Sequence, residues 1–277
     1  MQKDSKSYSE SVTWKIVSEA AITLGGSRAV LMQLAHPLVA IGVSKHSRYM
    51  SDPIGRTNDT FILGQKITFG STKTMHEAAR TINTLHKHVH GSLPMDAGAY
   101  ESGTPYNARD PELLLWVHAT LVDTILLLYP LLIGPLSPDE QEQYYQESKE
   151  TAHLLGLVPK DMPTTVKDLQ HYVKDMVYSN RLSATPQARQ LAQQVLYPPV
   201  PAFLRPLMHY NTYVTCALLP PPIRDLYGLE WNSYQQRVVD LSLVGMRTVI
   251  PRLPSSLRVL PITKRLMEQG ELKRDTA

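Results

Sequence analysis

The side chains best suited to chemistry fall in a few short stretches. Three of the 10 histidines stand together in LHKHVH as His86, His88 and His90. Neutral imidazole is the commonest protein ligand for a metal ion, and it also holds haem iron. The segment carrying these residues has an apolar stripe centred between Met75, Ala78, Ile82 and Leu85. At about 100° per residue, His86 lies about 70° from that centre, His88 about 90° away on the other side, and His90 about 110° away. His86 is therefore expected on the flank of the buried face, with Ala79 one heptad earlier leaving room beside it. His86 and His90 are also spaced i, i+4, which binds zinc in other helices, although no third ligand is evident. A histidine cluster at a helix end also complements the helix dipole. Spacing alone leaves all three readings open.

Arg56 and Thr60 form a second pair. In RTNDTFILGQKITF they share one helical face with Leu63 and Ile67. Arginine is seldom fully buried without a partner, so Arg56 is expected to meet an anion. A haem propionate, a carboxylate or a bound oxygen species would serve, and so would a structural Asp or Glu. His36, ahead of Pro37, either faces a pocket or ends a helix. His118, inside an apolar helix, reads as a hydrogen-bonded core residue. Cys216 is the single cysteine, so no disulfide framework, cysteine zinc site or iron–sulfur cluster can be built, and it reads as a small buried hydrophobe. No GxGxxG, GxxxxGK[ST], HExxH or GxSxG string occurs. This argues against the common nicotinamide, ATP and hydrolase chemistries.

The elements that must position these groups read as helices throughout. The spacing predicts helices from Thr13 to Leu24, over RAVLMQLA after a Ser27 cap, and over LVAIGVSKHS. Asp52-Pro53-Ile54-Gly55 reads as a turn. A helix follows over 56–69, then another from Ser71 to Gly91 with Met75, Ala78, Ile82, Leu85 and Val89 on one face. The stretch from there to Arg109 reads as a loop. Asp110-Pro111-Glu112 and Ser137-Pro138-Asp139-Glu140 are helix starts, and further helices are expected over 166–180, 186–196, 202–218 and 231–250. The apolar run Leu113 to Leu136 contains His118, Asp123 and Pro130, so it is expected to be a buried core helix and not a membrane span. The fold class is thus all-α, a single multi-helix domain over 13–265, with a flexible N-terminus at 1–12 and a polar tail at 266–277.

Bulk properties agree with a packed enzyme-sized domain. The chain has 277 residues, is 43% hydrophobic and only 19% charged. Its 28 basic and 25 acidic residues give a net charge of +3, and they are scattered. Nucleic-acid binders gather such charge on one stripe, so no nucleic-acid partner is expected. The start, MQKDSKSYSESVTWK, lacks the apolar region of a secretory signal, so the expected location is cytoplasmic, with peripheral membrane association allowed.

Several strings together resemble a known family. They are SRAVLMQLAHPLVAIGVSKHS, SDPIGRTNDT, LHKHVHG, YNARDPELLLWVHATLVDT and LLPPPIRDLYGLEW, spread from about residue 20 to about residue 262. They resemble the rubber oxygenase (latex-clearing) catalytic domains, a family that also holds the fungal endoplasmic-reticulum oxygenase of mycophenolic acid synthesis. The resemblance implies an all-α fold with one haem b (iron), a single axial histidine, and dioxygen-dependent cleavage of a carbon–carbon double bond in an isoprenoid. It implies Arg56 and Thr60 as pocket residues and His86 as the iron ligand, with His90 as the other candidate. Two departures stand out. The position before the Thr is basic in relatives and is Asp59 here. The relatives' catalytic Glu has no counterpart, since residues 27–50 contain no Glu or Asp. His36 is the expected base in its place, and an unperturbed histidine would make activity fall near about pH 6.5. The expected function is haem-dependent oxidation of a hydrophobic, isoprenoid- or lipid-like substrate by dioxygen. Any reducing equivalents would come from a separate electron donor, because no cofactor fingerprint for them is present. The alternatives are a haem- or lipid-binding helical protein without catalysis, and a helical protein that has lost haem.

Overall fold

The computed structural model describes residues 11–272, with side chains through Gln269. It begins with α1 (Val12–Val17), whose Ser11 cap accepts from the Trp14 amide. The chain then turns through a 3-10 segment, Ala20–Gly25, into α2 (Gly26–Leu34) and α3 (Pro37–His46). The continuous first helix expected to Leu24 thus stops at Val17. Ser27 does not cap α2. Its hydroxyl instead accepts from the Asn211 amide at 3.0 Å.

The expected turn at Asp52-Pro53-Ile54-Gly55 is the start of a helix. Asp52 accepts from the Gly55 amide and caps α4 (Pro53–Phe69), with proline in its favoured first position. Ser71 caps α5 (Thr72–Lys87). This helix ends short of the predicted Gly91, and the chain leaves it for a small antiparallel hairpin, β1 (His90–Ser92) against β2 (Pro105–Asn107). The predicted loop therefore contains the only sheet among the described residues.

The second half follows its local caps closely. Asp110 caps α6 (Pro111–Leu132) through the Glu112 amide, and Ser137 with Glu140 makes a capping box for α7 (Pro138–Leu154). Thr165 with Asp168 does the same for α8 (Val166–Val177), and Thr185 caps α9 (Pro186–Leu196). Then come α10 (Arg205–Leu218), α11 (Pro221–Tyr227), α12 (Ser233–Val249), α13 (Ser255–Arg258) and α14 (Pro261–Leu272). The all-α expectation holds. The expected polar tail starts inside α14, where Leu266 is buried against Trp14 and Phe69. Residues 273–277, and residues 1–10 of the expected flexible N-terminus, lie outside the described range.

The helix α6 forms the centre. It is the one helix among the described residues long and apolar enough to cross a membrane. More than half of its side chains are buried, and it packs against α2, α7, α8 and α12. Its Trp116 donates from Nε1 to the Met32 carbonyl at 3.1 Å. Gly25 lets the segment before α2 approach this helix closely: a Cβ there would sit 2.3 Å from Leu128 Cδ1 and 2.5 Å from Thr124 Cγ2.

A buried arginine fastens the same contact. Arg28, 4% exposed, donates to Asp123 at 2.8 Å, to Thr124 at 2.5 Å and to the Leu218 carbonyl at 2.8 Å. Asp123 within the apolar run is therefore paired. Arg28→Ala should destabilise the protein by about 2–3 kcal/mol, since Thr124, the carbonyl and a partly exposed Asp123 would lose their partner together. Chemical denaturation with unchanged slope would measure this, and a loss below about 0.5 kcal/mol would contradict it.

Candidate functional site

Three elements converge to build the site: the end of α3, the first half of α4, and the end of α5. The helices α4 and α5 form an antiparallel pair joined at Gly70-Ser71. Position 56, near the start of α4, therefore comes opposite the last turn of α5. The end of α3 closes in from the side, where Gly42 is so near Val89 that a Cβ would lie 3.3 Å from its Cγ1.

Arg56 and Thr60 are one turn apart on α4 and hold each other. The Arg56 guanidinium donates to Thr60 Oγ1, and the Thr60 hydroxyl donates back to the Arg56 carbonyl at 2.9 Å. Arg56 Nε donates to Ser47 Oγ at 3.1 Å, which ties α4 to the residue capping the end of α3. Both side-chain partners are neutral. Arg56 makes no ion pair among the described residues. The structural carboxylate partner that sequence left open is absent, so a half-buried cation stands without a contacting anion. Burial lowers its pKa, with Asp59 opposing and Arg48 reinforcing that shift.

Asp59, the departure noted in the sequence, points elsewhere. It accepts from Arg48 at 2.6 Å, and Arg48 also lies 3.5 Å from Asp52. A second guanidinium is thus anchored beside Arg56 by two carboxylates. Nothing in sequence spacing marked Ser47 or Arg48, because Ser47 meets Arg56, and Arg48 meets Asp59, across the break before Asp52-Pro53.

His86 lies on the packed side of α5, one heptad after buried Ala79. Its Nδ1 is buried and has no hydrogen-bond partner. Its pKa is lowered by burial first and by the positive charge of Arg56 second, which places the imidazole and guanidinium in one electrostatic environment and keeps the imidazole neutral. Neutral imidazole is the ligating form. The apolar stripe of α5 departs from expectation, however. Only Ala78 and Ala79 are buried on this helix, and Leu85 is 56% exposed. Of the C-terminal half of the stripe, Leu85 beside His86 is therefore uncovered, whereas Ile82 and Val89 are half-buried. His88 is the exposed C-cap of α5. His90 is off the helix altogether, exposed on β1 opposite Asn107, so the i, i+4 zinc spacing is not realised. No group of three metal-binding side chains occurs among the described residues.

A haem fits these residues in three respects. A buried imidazole nitrogen is unpartnered, an arginine whose charge reaches it lacks an anion, and an apolar side chain, Leu85, is exposed on the same turn of α5. A flat apolar ligand with one metal and acidic edges answers all three.

His36 is not part of this group. It precedes α3, whereas Ser47 follows it, and the intervening ten residues of helix rise about 15 Å. His36 is fully buried. Its Nε2 pairs with the Tyr100 hydroxyl at 3.0 Å, and Tyr100 accepts from Arg181 at 3.3 Å. Arg181 is in turn paired with Glu112. Burial, with a smaller push from Arg181, lowers the His36 pKa to about 4. The fall in activity near pH 6.5, expected for an unperturbed His36, therefore loses its basis. His118 is the hydrogen-bonded core histidine expected, 3.3 Å from Ser148 Oγ, and burial lowers its pKa to about 4. Cys216 is buried, as expected.

Two surface cavities, of about 240 and 230 Å³, are not lined by Arg56, Thr60, His36 or His86. The first is lined by α9 and α11 residues such as Arg189 and Tyr227, the second by Asn83, Lys87, Arg109 and His153. Both fall below the roughly 300 Å³ at which ordinary ligand pockets begin.

Comparison with known proteins places this arrangement. The chain is 27% identical over 233 residues, 81% of its length and 87% of theirs, to the uncharacterized proteins Rv2237 of Mycobacterium tuberculosis and Mb2261 of Mycobacterium bovis. No solved structure gives a significant match. The sequence model of one family, described as the catalytic domain of ER-bound oxygenase mpaB/B′ and rubber oxygenase, matches residues 14–250. That span runs from within α1 to the end of α12 and takes in every residue of the site, and the chain belongs to this oxygenase catalytic-domain family.

Proposed function

We propose that the protein is a haem b-dependent oxygenase acting on a hydrophobic, isoprenoid- or lipid-like substrate. The observation that carries this reading is the pair formed by His86, with its buried and unpartnered Nδ1, and Arg56, a half-buried cation bonded only to neutral side chains. Family membership supplies the reaction class.

In this reading His86 would hold the haem iron. Bound haem supplies the activation of dioxygen. Arg56 offers fixed donors to an anionic group in the same pocket, either a propionate or a developing negative charge. Ser47 and Thr60 orient those donors without neutralising them. Thr60 is tied to its own helix by its bond to the Arg56 carbonyl and accepts from the Arg56 guanidinium, so it positions Arg56. The exposed Leu85 gives an apolar wall. His36, sealed behind Tyr100, is not placed to exchange a proton with this group, so the base role expected for it passes to no residue at the site. This favours chemistry in which the chain itself supplies no carboxylate base.

The direct test is the purified protein, as isolated and after haemin addition. A Soret band together with oxygen uptake on a panel of isoprenoids and fatty acids is the expected result. A Soret band without oxygen or peroxide consumption on any of them would mark a haem-binding protein without catalysis. No Soret band even after haemin addition would remove the haem reading.

A further inference from the structure

The helix α12 has two apolar faces, and only one is covered. Val239 and Leu243 are buried against the body of the protein, and Ser242 accepts or donates at 2.8 Å to Tyr210 of α10. The other face carries Tyr234, Val238, Leu241, Gly245 and Val249 at spacings of four, three, four and four. At about 100° per residue they fall within an arc of about 80°, centred about 140° from the buried pair. All five are exposed, Tyr234 at 75% and Leu241 at 73%. Val244, also exposed, widens one edge of the stripe.

Neighbouring elements extend the surface. Leu207 precedes Tyr210 by one turn on α10, and Tyr210 faces Ser242 and Met246, which sets Leu207 beside the C-terminal half of α12. Leu207 is exposed, and Phe203, just before α10, is 79% exposed. Such a run is longer than the isolated exposed hydrophobes normal for a soluble surface.

Charge selects the occupant. Arg237, on the edge of the stripe, and Arg252, just past its C-terminal end and bonded to the Thr248 carbonyl, are exposed and make no ion pair among the described residues. The one acidic residue on α12 is Asp240, which accepts from Gln236. A second copy of the chain would bring two such arginine sets together. An anionic bilayer surface answers both features, because exposed aromatic and aliphatic side chains enter the headgroup boundary while arginines meet phosphates. We propose that the outward face of α12, with Phe203 and Leu207, docks the protein on anionic membrane lipid. This stands on surface chemistry and is independent of the haem reading.

The test is co-sedimentation of the full chain with phosphatidylcholine vesicles, with and without phosphatidylserine. Binding should require phosphatidylserine and weaken with salt. Arg237→Gln and Arg252→Gln should each cost about fivefold in partitioning. Leu241→Asp with Val249→Asp should abolish binding while leaving the circular dichroism and melting temperature intact. A gain is also expected. A Cβ at Gly245 meets nothing within 4 Å, so Gly245→Leu should strengthen binding severalfold. Absence of sedimentation with either vesicle would overturn the proposal, as would unchanged binding by the aspartate variant. So would a dimer in solution that the same variant splits.

Discussion

His86→Ala should remove the Soret band of the haem-loaded protein, while His88→Ala and His90→Ala should leave it in place. The three histidines sit within five residues of sequence, yet the structure gives each a different setting. His86 is on the packed side of α5 with a buried orphan nitrogen, His88 is the exposed cap, and His90 has moved onto a strand. Altering groups that merely orient a metal ligand costs about 10–100-fold in affinity, so losing the ligand itself should cost at least about 100-fold. Stability should change little, because His86 is only partly buried and makes no hydrogen bond to lose. Arg56 provides a linked readout. Its charge helps to hold the His86 pKa below the ordinary value, so Arg56→Met should let that pKa rise, although burial still opposes it. Protons would then compete with iron at a higher pH, and haem should be released earlier on acidification than from the parent protein. Loss of the Soret band in His90→Ala alone, with His86→Ala unaffected, would overturn the assignment of the ligand.

Much of this fold was legible because helix starts are local chemistry. Asp110-Pro111, Ser137 to Glu140, Thr165 to Asp168 and Thr185-Pro186 each satisfy their own first-turn amides, and all open helices where expected. Asp52-Pro53 carries the same signal, yet it read as a turn because Ile54-Gly55 follows. The capping bond to the Gly55 amide decides for a helix. The hairpin could not be read from His90-Gly91-Ser92. Three residues show no alternation, and the pairing partner lies beyond a long connection. At the site, the pair Arg56 and Thr60 was visible because both lie on one helix. What holds the pair in place was not visible. Ser47 bonds Arg56 from the end of α3, and the position of His36 depends on Tyr100 and Arg181, which lie far away in sequence. Residue type marked His36 as titratable, whereas only burial shows that its proton chemistry is turned inward.

That inward burial makes His36 a determinant of acid stability. In the unfolded chain its pKa is near about 6.5, and in the folded protein it is lowered to about 4. Between these values the unfolded state binds the proton and the native state does not, so unfolding takes up protons and stability falls as pH drops. The contribution is fully present above about pH 6.5 and is lost as pH falls through about 4. A separation of this size corresponds to on the order of 3 kcal/mol, at about 1.4 kcal/mol per pH unit. His118, also lowered to about 4 by burial, adds to the same slope in parent and variant alike. Arg181 sharpens the effect at His36, since protonation there would place two cations on either side of the Tyr100 hydroxyl. His36→Gln keeps a side chain that can bond Tyr100 but does not titrate. Its stability between pH 7 and pH 4 should therefore fall less steeply than that of the parent protein, by about that amount over the interval. Denaturant unfolding at fixed pH steps measures both slopes. Two superimposable curves would mean that His36 is protonated in the native protein as readily as in the unfolded chain, and that its burial behind Tyr100 opens on the timescale of the titration.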